Sequence, residues 1–373
     1  MTARAARPMR FDVTIVTSGH DIADARLHRE VAAFRRAGLT VEVLGLGRPT
    51  GAPDGAARVK TWHRGSMLKR GCLAMRLPWL AHGSVLVSLD PDSAVGCYLR
   101  RLLVPGSRRV RWVADVHEDY GALIQDRPWA RGLLGVLGGL VARAGHWLVR
   151  HADLTAVADT HLNTDAPRRL VVRNFADVTM LPAPSDPAPA PKAIYVGDLR
   201  ASRGLQAMVE AVAGAPEWTA DLVGPVQAKD QAWLDERLGG DEALAARLRM
   251  PGRLPPVKAW CRATGAWAGF LLLEDTAAFH ESMPSKLYEY LALGIPVIST
   301  PLPRPVHLIE RTGVGVVVKD AAEAAAVMRR WASNPAEYRA VLAAARRAAA
   351  EVGKAAGQMD ALAAAVAELV DQA

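Results

Sequence analysis

The stretch ESMPSKLYEYLALGIPVISTP, residues 281–301, has the pattern of a loop, a short helix, a tight turn and a strand. Pro284 suits the first turn of a helix, where its missing N–H group is not needed. Gly294 suits the left-handed residue that ends a helix, and the apolar run 296–300 is typical of a strand. The stretch therefore predicts a helix that begins near residue 284 and a strand that follows it directly.

The start of this helix combines groups that bind phosphate with groups that bind sugar hydroxyls. The N–H groups near Ser285 and the charge of Lys286 favour an anion. Glu281, in the preceding loop, and Glu289, about one turn into the helix, are acceptors for vicinal hydroxyls. A nucleotide-sugar, with hydroxyls at both ends and phosphates between them, fits this order of groups.

These residues resemble the E-x7-E signature of the retaining family 4 glycosyltransferases of the GT-B fold. Glu281 and Glu289 are the two acids, and the run from Pro284 follows the variant P-x-K-x-x-E-Y-x-A-x-G-x-P-V-I. The resemblance implies an α/β protein of two Rossmann-like, doubly wound domains that face a central cleft. It also implies transfer of a sugar from a nucleotide-sugar, with retention of anomeric configuration and without a metal or cofactor.

Composition narrows the class of protein. The chain has 373 residues, enough for two domains, and a net charge of +8. Its basic character suits phosphorylated substrates or an anionic membrane surface, because no basic run with interleaved aromatic residues indicates nucleic acid. The three cysteines are too far apart to predict a disulfide framework or a zinc site. No apolar run is long enough to span a bilayer, which predicts a soluble or peripheral protein. The cysteines also fit a reducing compartment, so we expect a cytoplasmic location that allows attachment to the inner face of the membrane.

The order of predicted elements divides the chain into two α/β halves. Strands over 11–17 and 40–46 flank a helix over 25–37, which is the opening of a doubly wound sheet. We predict an acceptor-binding domain over 1–180, a proline-rich linker over 181–191, and a nucleotide-sugar-binding domain over 192–352. Residues 353–373 then form a helix that could cross back to the first domain.

In the first half, polar residues follow predicted strands, where ligands bind in such sheets. Asp24 and Arg26 lie after the first strand, and either an acceptor-binding role or a surface salt bridge explains them. His117 and Glu118, in the string DVHED, resemble the family's loop near the donor sugar. The resemblance makes His117 a catalytic candidate together with Glu281, and it makes Glu118 a candidate on the acceptor side.

A second acidic motif, Asp90-Pro91-Asp92, follows the predicted strand over 84–89. In a metal-dependent transferase of the GT-A fold, Asp90 and Asp92 would hold the metal and the nucleotide diphosphate. A helix start explains the motif better, with Asp90 as N-cap and Pro91 at the first helical position.

In the second half, Gly197 ends a strand and begins a basic loop that leads into a helix. This resembles the family's G-R…K-G string, whose basic residues bind the diphosphate. Arg203 stands in place of the lysine, and Asp198 stands in place of the arginine. The resemblance makes Gly197, Arg203, Ser285, Lys286 and Glu289 the donor-binding residues, with a UDP- or GDP-sugar as the donor. Arg200 could substitute for the missing arginine, and Arg203 could instead be a solvated loop charge.

Two segments, 60–80 and 127–150, combine basic residues with tryptophans and leucines. This composition is typical of a helix at a membrane interface, although a domain helix with solvated arginines explains 127–150 equally well. The partners we predict are a nucleotide-sugar and a glycan, a lipid-linked sugar or a small molecule as acceptor, with peripheral contact to the inner face of an anionic membrane. Such an enzyme would serve polysaccharide biosynthesis; a non-catalytic nucleotide-sugar-binding subunit at the membrane is the alternative.

Overall fold

The computed structural model describes residues 11–373 except 105, 107–108, 117–132, 161, 164, 174, 278, 281 and 355–356. For residues 133–134, 137–138, 141–142 and 353–354 it describes the backbone alone. The described chain forms two compact units, one of residues 1–174 with 357–373 and one of residues 175–356. The first unit is therefore made of two separate parts of the chain.

The first unit contains a seven-stranded sheet in the order β3-β2-β1-β4-β5-β6-β7, and the described pairings are parallel. The reversal of strand order beside β1 is the doubly wound arrangement that the first strands predicted. Its strands are β1 (Phe11–Asp21), β2 (Val41–Leu46), β3 (Arg58–Trp62), β4 (Gly83–Ser88), β5 (Arg111–Val116), β6 (Leu154–Val157) and β7 (Arg169–Val171).

Helices cover the sheet of the first unit because each buries an apolar side against it. The C-terminal helix packs beside α1, where Met359, Leu362 and Val366 join the core formed by β1, β2 and β4. The helices of this unit are α1 (Ala25–Arg36), α2 (Met67–Leu80), α3 (Pro91–Leu103), α4 (Leu133–Val149) and, at the end of the chain, α13 (Gln358–Asp371).

The second unit contains a six-stranded parallel sheet in the order β10-β9-β8-β11-β12-β13, which again reverses beside its first strand. Its strands are β8 (Lys192–Val196), β9 (Thr219–Val223), β10 (Leu248–Arg249), β11 (Ala268–Leu271), β12 (Val297–Ser299) and β13 (Gly315–Val317). Its helices are α5 (Leu205–Ala213), α6 (Ala228–Gly239), α7 (Glu242–Arg247), α8 (Pro256–Cys261), α9 (Ser285–Ala292), α10 (Pro303–Thr312), α11 (Ala321–Ser333) and α12 (Pro335–Lys354).

The stretch 281–301 folds as its sequence predicts wherever the structure describes it. Helix α9 begins directly after Pro284, and Gly294 follows it with a φ angle of +66°. Strand β12 comes next and pairs with β11 on one side and β13 on the other. Because parallel strands end at one edge of a sheet, the start of α9 lies at the edge where β8 and β11 also end.

The proline-rich stretch packs against the second unit. Leu181 contacts the core of that unit. The Ser185 hydroxyl accepts a hydrogen bond from Gly265 N at 2.9 Å, and Ala188 N donates to the Gly265 carbonyl at 2.9 Å. This part of the chain is thus held at defined points along its length.

Candidate functional site

Gly197, directly after β8, allows a lysine to lie against the backbone. Its φ angle is +152°, and a Cβ here would lie 2.5 Å from Lys286 Cε and 2.8 Å from Lys286 Nζ. A side chain at position 197 would therefore displace the lysine. The glycine and the lysine that the sequence predicted for donor binding are neighbours in the second unit.

Tyr195 connects this lysine with Arg203. Lys286 Nζ lies 5.4 Å from the centroid of the Tyr195 ring, which is within the range of cation–π attraction. Arg203 hydrogen-bonds the Tyr195 hydroxyl, and that hydroxyl donates to the Asp198 carbonyl at 3.2 Å. Burial raises the pKa of Tyr195 although the Arg203 charge opposes it, so the phenol stays neutral. The fold thus brings together two cations that the sequence assigned to the diphosphate.

A second aromatic ring, Phe279, adjoins both arginines of the basic loop. The guanidinium carbons of Arg200 and Arg203 lie 5.9 Å and 6.0 Å from the centroid of the ring. Glu274 N donates to the Ser202 carbonyl at 3.1 Å and holds the turn between the arginines. Three positive side chains therefore gather where β8 and β11 end, and this arrangement favours a polyanionic ligand.

Helix α9 is fixed to the two central strands of the second sheet. The Tyr290 hydroxyl donates to the carbonyl of Ile194 at 3.2 Å and to that of Phe270 at 3.1 Å. These carbonyls belong to β8 and β11. Ser285 is the first residue of the helix, and Glu289, one turn later, is 6% exposed. The helix start predicted to hold phosphate is thus held at the same edge as Gly197.

Asp198, the residue that departs from the family's pattern, forms an ion pair. Its Oδ1 lies 3.3 Å from Nη2 of Arg253, which comes from the loop between β10 and α8. The carboxylate and the guanidinium are 34% and 44% exposed. The fold therefore brings a guanidinium to the position where the sequence lacks one.

In the first unit, Asp24 and Arg26 have structural partners. The Asp24 carboxylate caps α1 by accepting from the backbone N–H groups of Arg26 and Leu27. Arg26 is buried, and its Nε and Nη2 donate to the two oxygens of Asp115 at 2.5 Å and 2.6 Å. The surface salt bridge considered for Arg26 is therefore wrong, because the side chain lies inside the unit. Binding of an acceptor by Asp24 or Arg26 stays a prediction.

The carboxyl-terminal end of β1 carries a histidine, His20, that pairs with Asp90, and sequence reasoning missed this pair. Asp90 Oδ1 lies 2.6 Å from His20 Nδ1. Asp90 Oδ2 accepts from the Thr17 hydroxyl at 2.7 Å and from the N–H groups of Ser18 at 2.7 Å and Gly19 at 3.1 Å. Burial opposes ionisation of Asp90, but His20 and these donors outweigh it and hold the pKa of the carboxyl well below its usual range.

The position of Asp90 before α3, with Pro91 as the first helical residue, agrees with the predicted helix start. Its carboxylate, however, binds residues 17–20, near the end of β1. The only sequence signal for the pair was that a histidine and an aspartate each follow a predicted strand, 11–17 and 84–89. In the structure β1 extends to Asp21, and since β4 lies next to it, Asp90, two residues after β4, meets the end of β1.

Three of the predicted site residues, His117, Glu118 and Glu281, lie outside the described residues. Their catalytic and acceptor-side roles stay predictions. Within the described part of the chain, the donor-binding candidates of the second unit share one sheet edge, and Asp24 and Arg26 belong to the first unit.

The two doubly wound units have the GT-B fold, and solved structures match them over nearly the whole chain. A sucrose-phosphate synthase from Thermosynechococcus elongatus has a TM-score of 0.68 at 16% identity, with 96% of this chain and 98% of that chain covered. HepE from Anabaena, in complex with UDP and glucose, has a TM-score of 0.66 at 14% identity, covering 97% and 98%. WaaG, a glycosyltransferase involved in lipopolysaccharide biosynthesis, has a TM-score of 0.60 at 13% identity, covering 95% and 99%.

The sequence of the second unit carries a family match of its own. Residues 190–334 match the family model of the glycosyl transferases group 1. A comparison with curated protein sequences finds no match. The predicted GT-B fold is confirmed, and the GT-A alternative built on Asp90 and Asp92 is wrong, because the fold is GT-B.

Proposed function

We propose that the protein is a glycosyltransferase that moves a sugar from a nucleotide-sugar to an acceptor. The observation that carries this proposal is the meeting of Arg203 and Lys286 at Tyr195, at the carboxyl end of β8. It falls in the segment that matches the group 1 glycosyl transferases. A paired guanidinium and ammonium suit the two phosphates of a nucleoside diphosphate.

In this proposal each donor-binding candidate of the second unit has a defined role. Arg203 and Lys286 bind the diphosphate, and the N–H groups at Ser285 add the positive end of the α9 dipole. Glu289 accepts hydrogen bonds from the ribose hydroxyls, and Gly197 leaves room for Lys286 to lie against the backbone. Negative charge develops on the departing diphosphate, so these cations stabilise the transition state.

The finer assignments rest on the sequence resemblance. The donor is a UDP- or GDP-sugar, Glu281 holds hydroxyls of the transferred sugar, and His117 lies near the reacting carbon. The anomeric configuration is retained, and no metal or cofactor takes part. The family matched by residues 190–334 supports transfer from a nucleotide-sugar. Transfer of sugar by the purified protein would reject the alternative of a non-catalytic binding subunit.

A thermal-shift screen against UDP-, GDP-, ADP- and dTDP-sugars tests the donor class. A ligand that binds only the folded protein raises its melting temperature, so one nucleotide series should give a clear shift. With that donor, Glu289→Gln should weaken binding by about 1–3 kcal/mol, because a charge-assisted hydrogen bond is lost. Titration calorimetry checks the change, with Glu236→Gln on the exposed side of α6 as the matched control.

If none of the four series shifts the melting temperature, the proposed function is wrong. Unchanged donor affinity in Glu289→Gln would instead remove Glu289 from the site and leave the function standing.

We further propose that the first unit touches an anionic membrane from the cytoplasmic side and reaches a lipid-linked acceptor there. Helices α2, α3 and α4 are neighbours, and they carry large apolar side chains that are at least 47% exposed. Lys69, Arg76 and Arg143 are exposed on the same helices. Apolar groups beside basic ones favour an anionic interface. The apolar residues are Met67, Leu68, Trp79, Leu102, Leu103, Val136, Leu140 and Trp147.

In the part of the chain that the structure describes, no helix combines the length and the apolar character needed to cross a bilayer. Contact with a membrane would therefore be made by the sides of helices. The sequence allowed two roles for this segment, a domain helix and a helix at a membrane interface, and α4 has features of both. Leu148 and Val149 are buried in the unit, whereas Val136 and Trp147 are exposed.

Sedimentation with vesicles tests the membrane contact. At low salt the protein should sediment with phosphatidylserine-containing vesicles and much less with phosphatidylcholine vesicles. Replacing Leu68 and Leu103 with serine should weaken binding at least several-fold, since each inserted leucine contributes up to about 1.5–3 kcal/mol. Val257→Ser, an exposed position of the second unit, is the control. Equal sedimentation with both kinds of vesicle, or none with either, would contradict the proposal.

A further inference from the structure

Asp198 and Arg253 form a charge pair at the sheet edge that carries the proposed diphosphate site. Asp198 directly follows Gly197, against whose backbone Lys286 lies. The segment that bears Asp198 is fixed to the loop after β9, because Leu199 N donates to the Pro225 carbonyl and Gln227 N donates to the Leu199 carbonyl, both at 2.9 Å. The backbone beside Asp198 is therefore held by the loop after β9.

A carboxylate at this position would repel a diphosphate if its charge were not balanced. The Arg253 guanidinium balances it at 3.3 Å. The contact to Asp198 uses Nη2, and a guanidinium has five N–H donors in a rigid plane. With 44% of its side chain exposed, Arg253 can contact a ligand and Asp198 at the same time. The pair thus presents a positive group where the single residue 198 would present a negative one.

We propose that Asp198 is a positioning residue that holds Arg253 beside the diphosphate site, and that Arg253 binds a phosphate of the nucleotide. The inference rests on the proposed function, since it concerns the same site. In this proposal the loop between β10 and α8 supplies the phosphate contact that the family's arginine makes from the position of residue 198. The diphosphate is then bound by Arg203, Lys286 and Arg253, which come from three separate loops.

Substitutions at the two positions distinguish this proposal from simple repulsion by Asp198. Arg253→Ala should weaken binding of UDP or GDP, whichever the wild type binds, by about 10-fold. Asp198→Ala should also weaken binding several-fold, because Arg253 loses the group that orients it. If Asp198 merely repels phosphate, Asp198→Ala will instead strengthen binding, and the proposal is overturned.

The variant Asp198→Arg provides a second, independent measurement. It places a guanidinium directly at position 198, so nucleotide binding should be at least as strong as in the wild type. In the Asp198→Arg protein, the additional change Arg253→Ala should lower nucleotide affinity less than about threefold, because the new arginine replaces Arg253. If Arg253→Ala lowers nucleotide affinity by the full 10-fold both in the wild type and in Asp198→Arg, Arg253 acts without Asp198. That result contradicts the positioning role.

Calorimetry with inorganic pyrophosphate and with the free nucleoside locates the contact of Arg253. Binding of pyrophosphate should weaken in Arg253→Ala, whereas binding of the nucleoside should not change. The opposite pattern would place Arg253 at the base and overturn the phosphate contact. Arg249→Ala removes an equal charge from an exposed position four residues earlier in the chain and should leave all affinities unchanged.

These outcomes separate the inference from the proposed function. A wild-type protein that binds no nucleoside diphosphate refutes the proposed function itself. A wild-type protein that binds one, with Arg253→Ala binding equally well, refutes only the role of Arg253. Both side chains of the pair are at least one-third exposed, so the variants should fold, and their melting curves provide the check.

Discussion

Replacement of Arg26 by alanine should destabilise the first unit by about 3–5 kcal/mol, because it leaves the buried Asp115 carboxylate without a counter-charge. Arg26 donates to both oxygens of Asp115 and, at 3.1 Å, to the Val172 carbonyl. Burial opposes the charge of Arg26, but the Asp115 carboxylate outweighs burial and raises the pKa of the guanidinium. The pair is therefore ionised and joins α1 to β5 and to the segment after β7.

Urea denaturation followed by tryptophan fluorescence measures this loss, with Trp112 as a buried probe in the first unit. Arg36→Ala, on the exposed side of the same helix, is the matched control. Its pair with Asp360 spans 2.8 Å with partners 36% and 55% exposed, so we expect a change of about 0–1 kcal/mol. An Arg26→Ala protein of wild-type stability and altered acceptor affinity would show that Arg26 serves binding and not folding.

Glu30 adds a pH dependence to this cluster. Its Oε1 lies 3.6 Å from Arg26 Nε. Burial and the neighbouring Asp115 raise the pKa of Glu30 well above its ordinary value of 4.5, so the folded protein keeps the proton longer than the unfolded chain does. Stability from this group is complete below pH 4.5 and declines as the pH rises towards the folded pKa. Glu30→Gln, which stays neutral, should remove that decline in denaturation curves measured from pH 5 to 9.

The second large effect is expected on nucleotide binding. Lys286→Ala and Arg203→Ala should each weaken the affinity for the nucleoside diphosphate by about 10- to 150-fold, since a hydrogen bond to a charged group contributes about 1.5–3 kcal/mol. The loss should fall on the phosphates, so the affinity for the free nucleoside should stay nearly constant. Calorimetry with both ligands measures the difference.

Two further variants control this experiment. Lys319→Ala removes a lysine that is 72% exposed and paired with Glu323, and it should leave affinity unchanged. Gly197→Ala adds a Cβ where Lys286 lies, and it should therefore reproduce part of the Lys286→Ala defect without removing any charge. If Lys286→Ala and Arg203→Ala turn over substrate normally, the diphosphate site lies elsewhere.

The sequence could predict the fold because its signals are local. Alternating apolar strands, Pro284 before α9 and Gly294 after it act within a few residues of themselves, and α9 and β12 lie where those signals predict. Strand β1 begins where predicted and continues past the predicted end to Asp21. The doubly wound class followed from the alternation of such strands and helices. The GT-B assignment depended on the resemblance of residues 281–301, and the folds of solved proteins agree with it.

The contacts that build the candidate site could not be predicted in the same way. Arg253 meets Asp198 across 55 positions of sequence, and His20 meets Asp90 across 70. No local pattern records which loops of a parallel sheet become neighbours, because strand order decides it. Tyr195 shows the same difficulty, since its ring lies in a strand that looks merely apolar, yet it connects Lys286 with Arg203.

The division of the chain has a consequence for synthesis on the ribosome. Residues 175–356 form a continuous unit, whereas the first unit needs α13, from residues 358–371, to complete the core beside α1. A ribosome adding about 5–20 residues per second needs roughly 10–40 s to make the intervening segment. During that time the apolar side of α1 is not covered by α13. The second unit can therefore finish folding before the first, although its residues are made later.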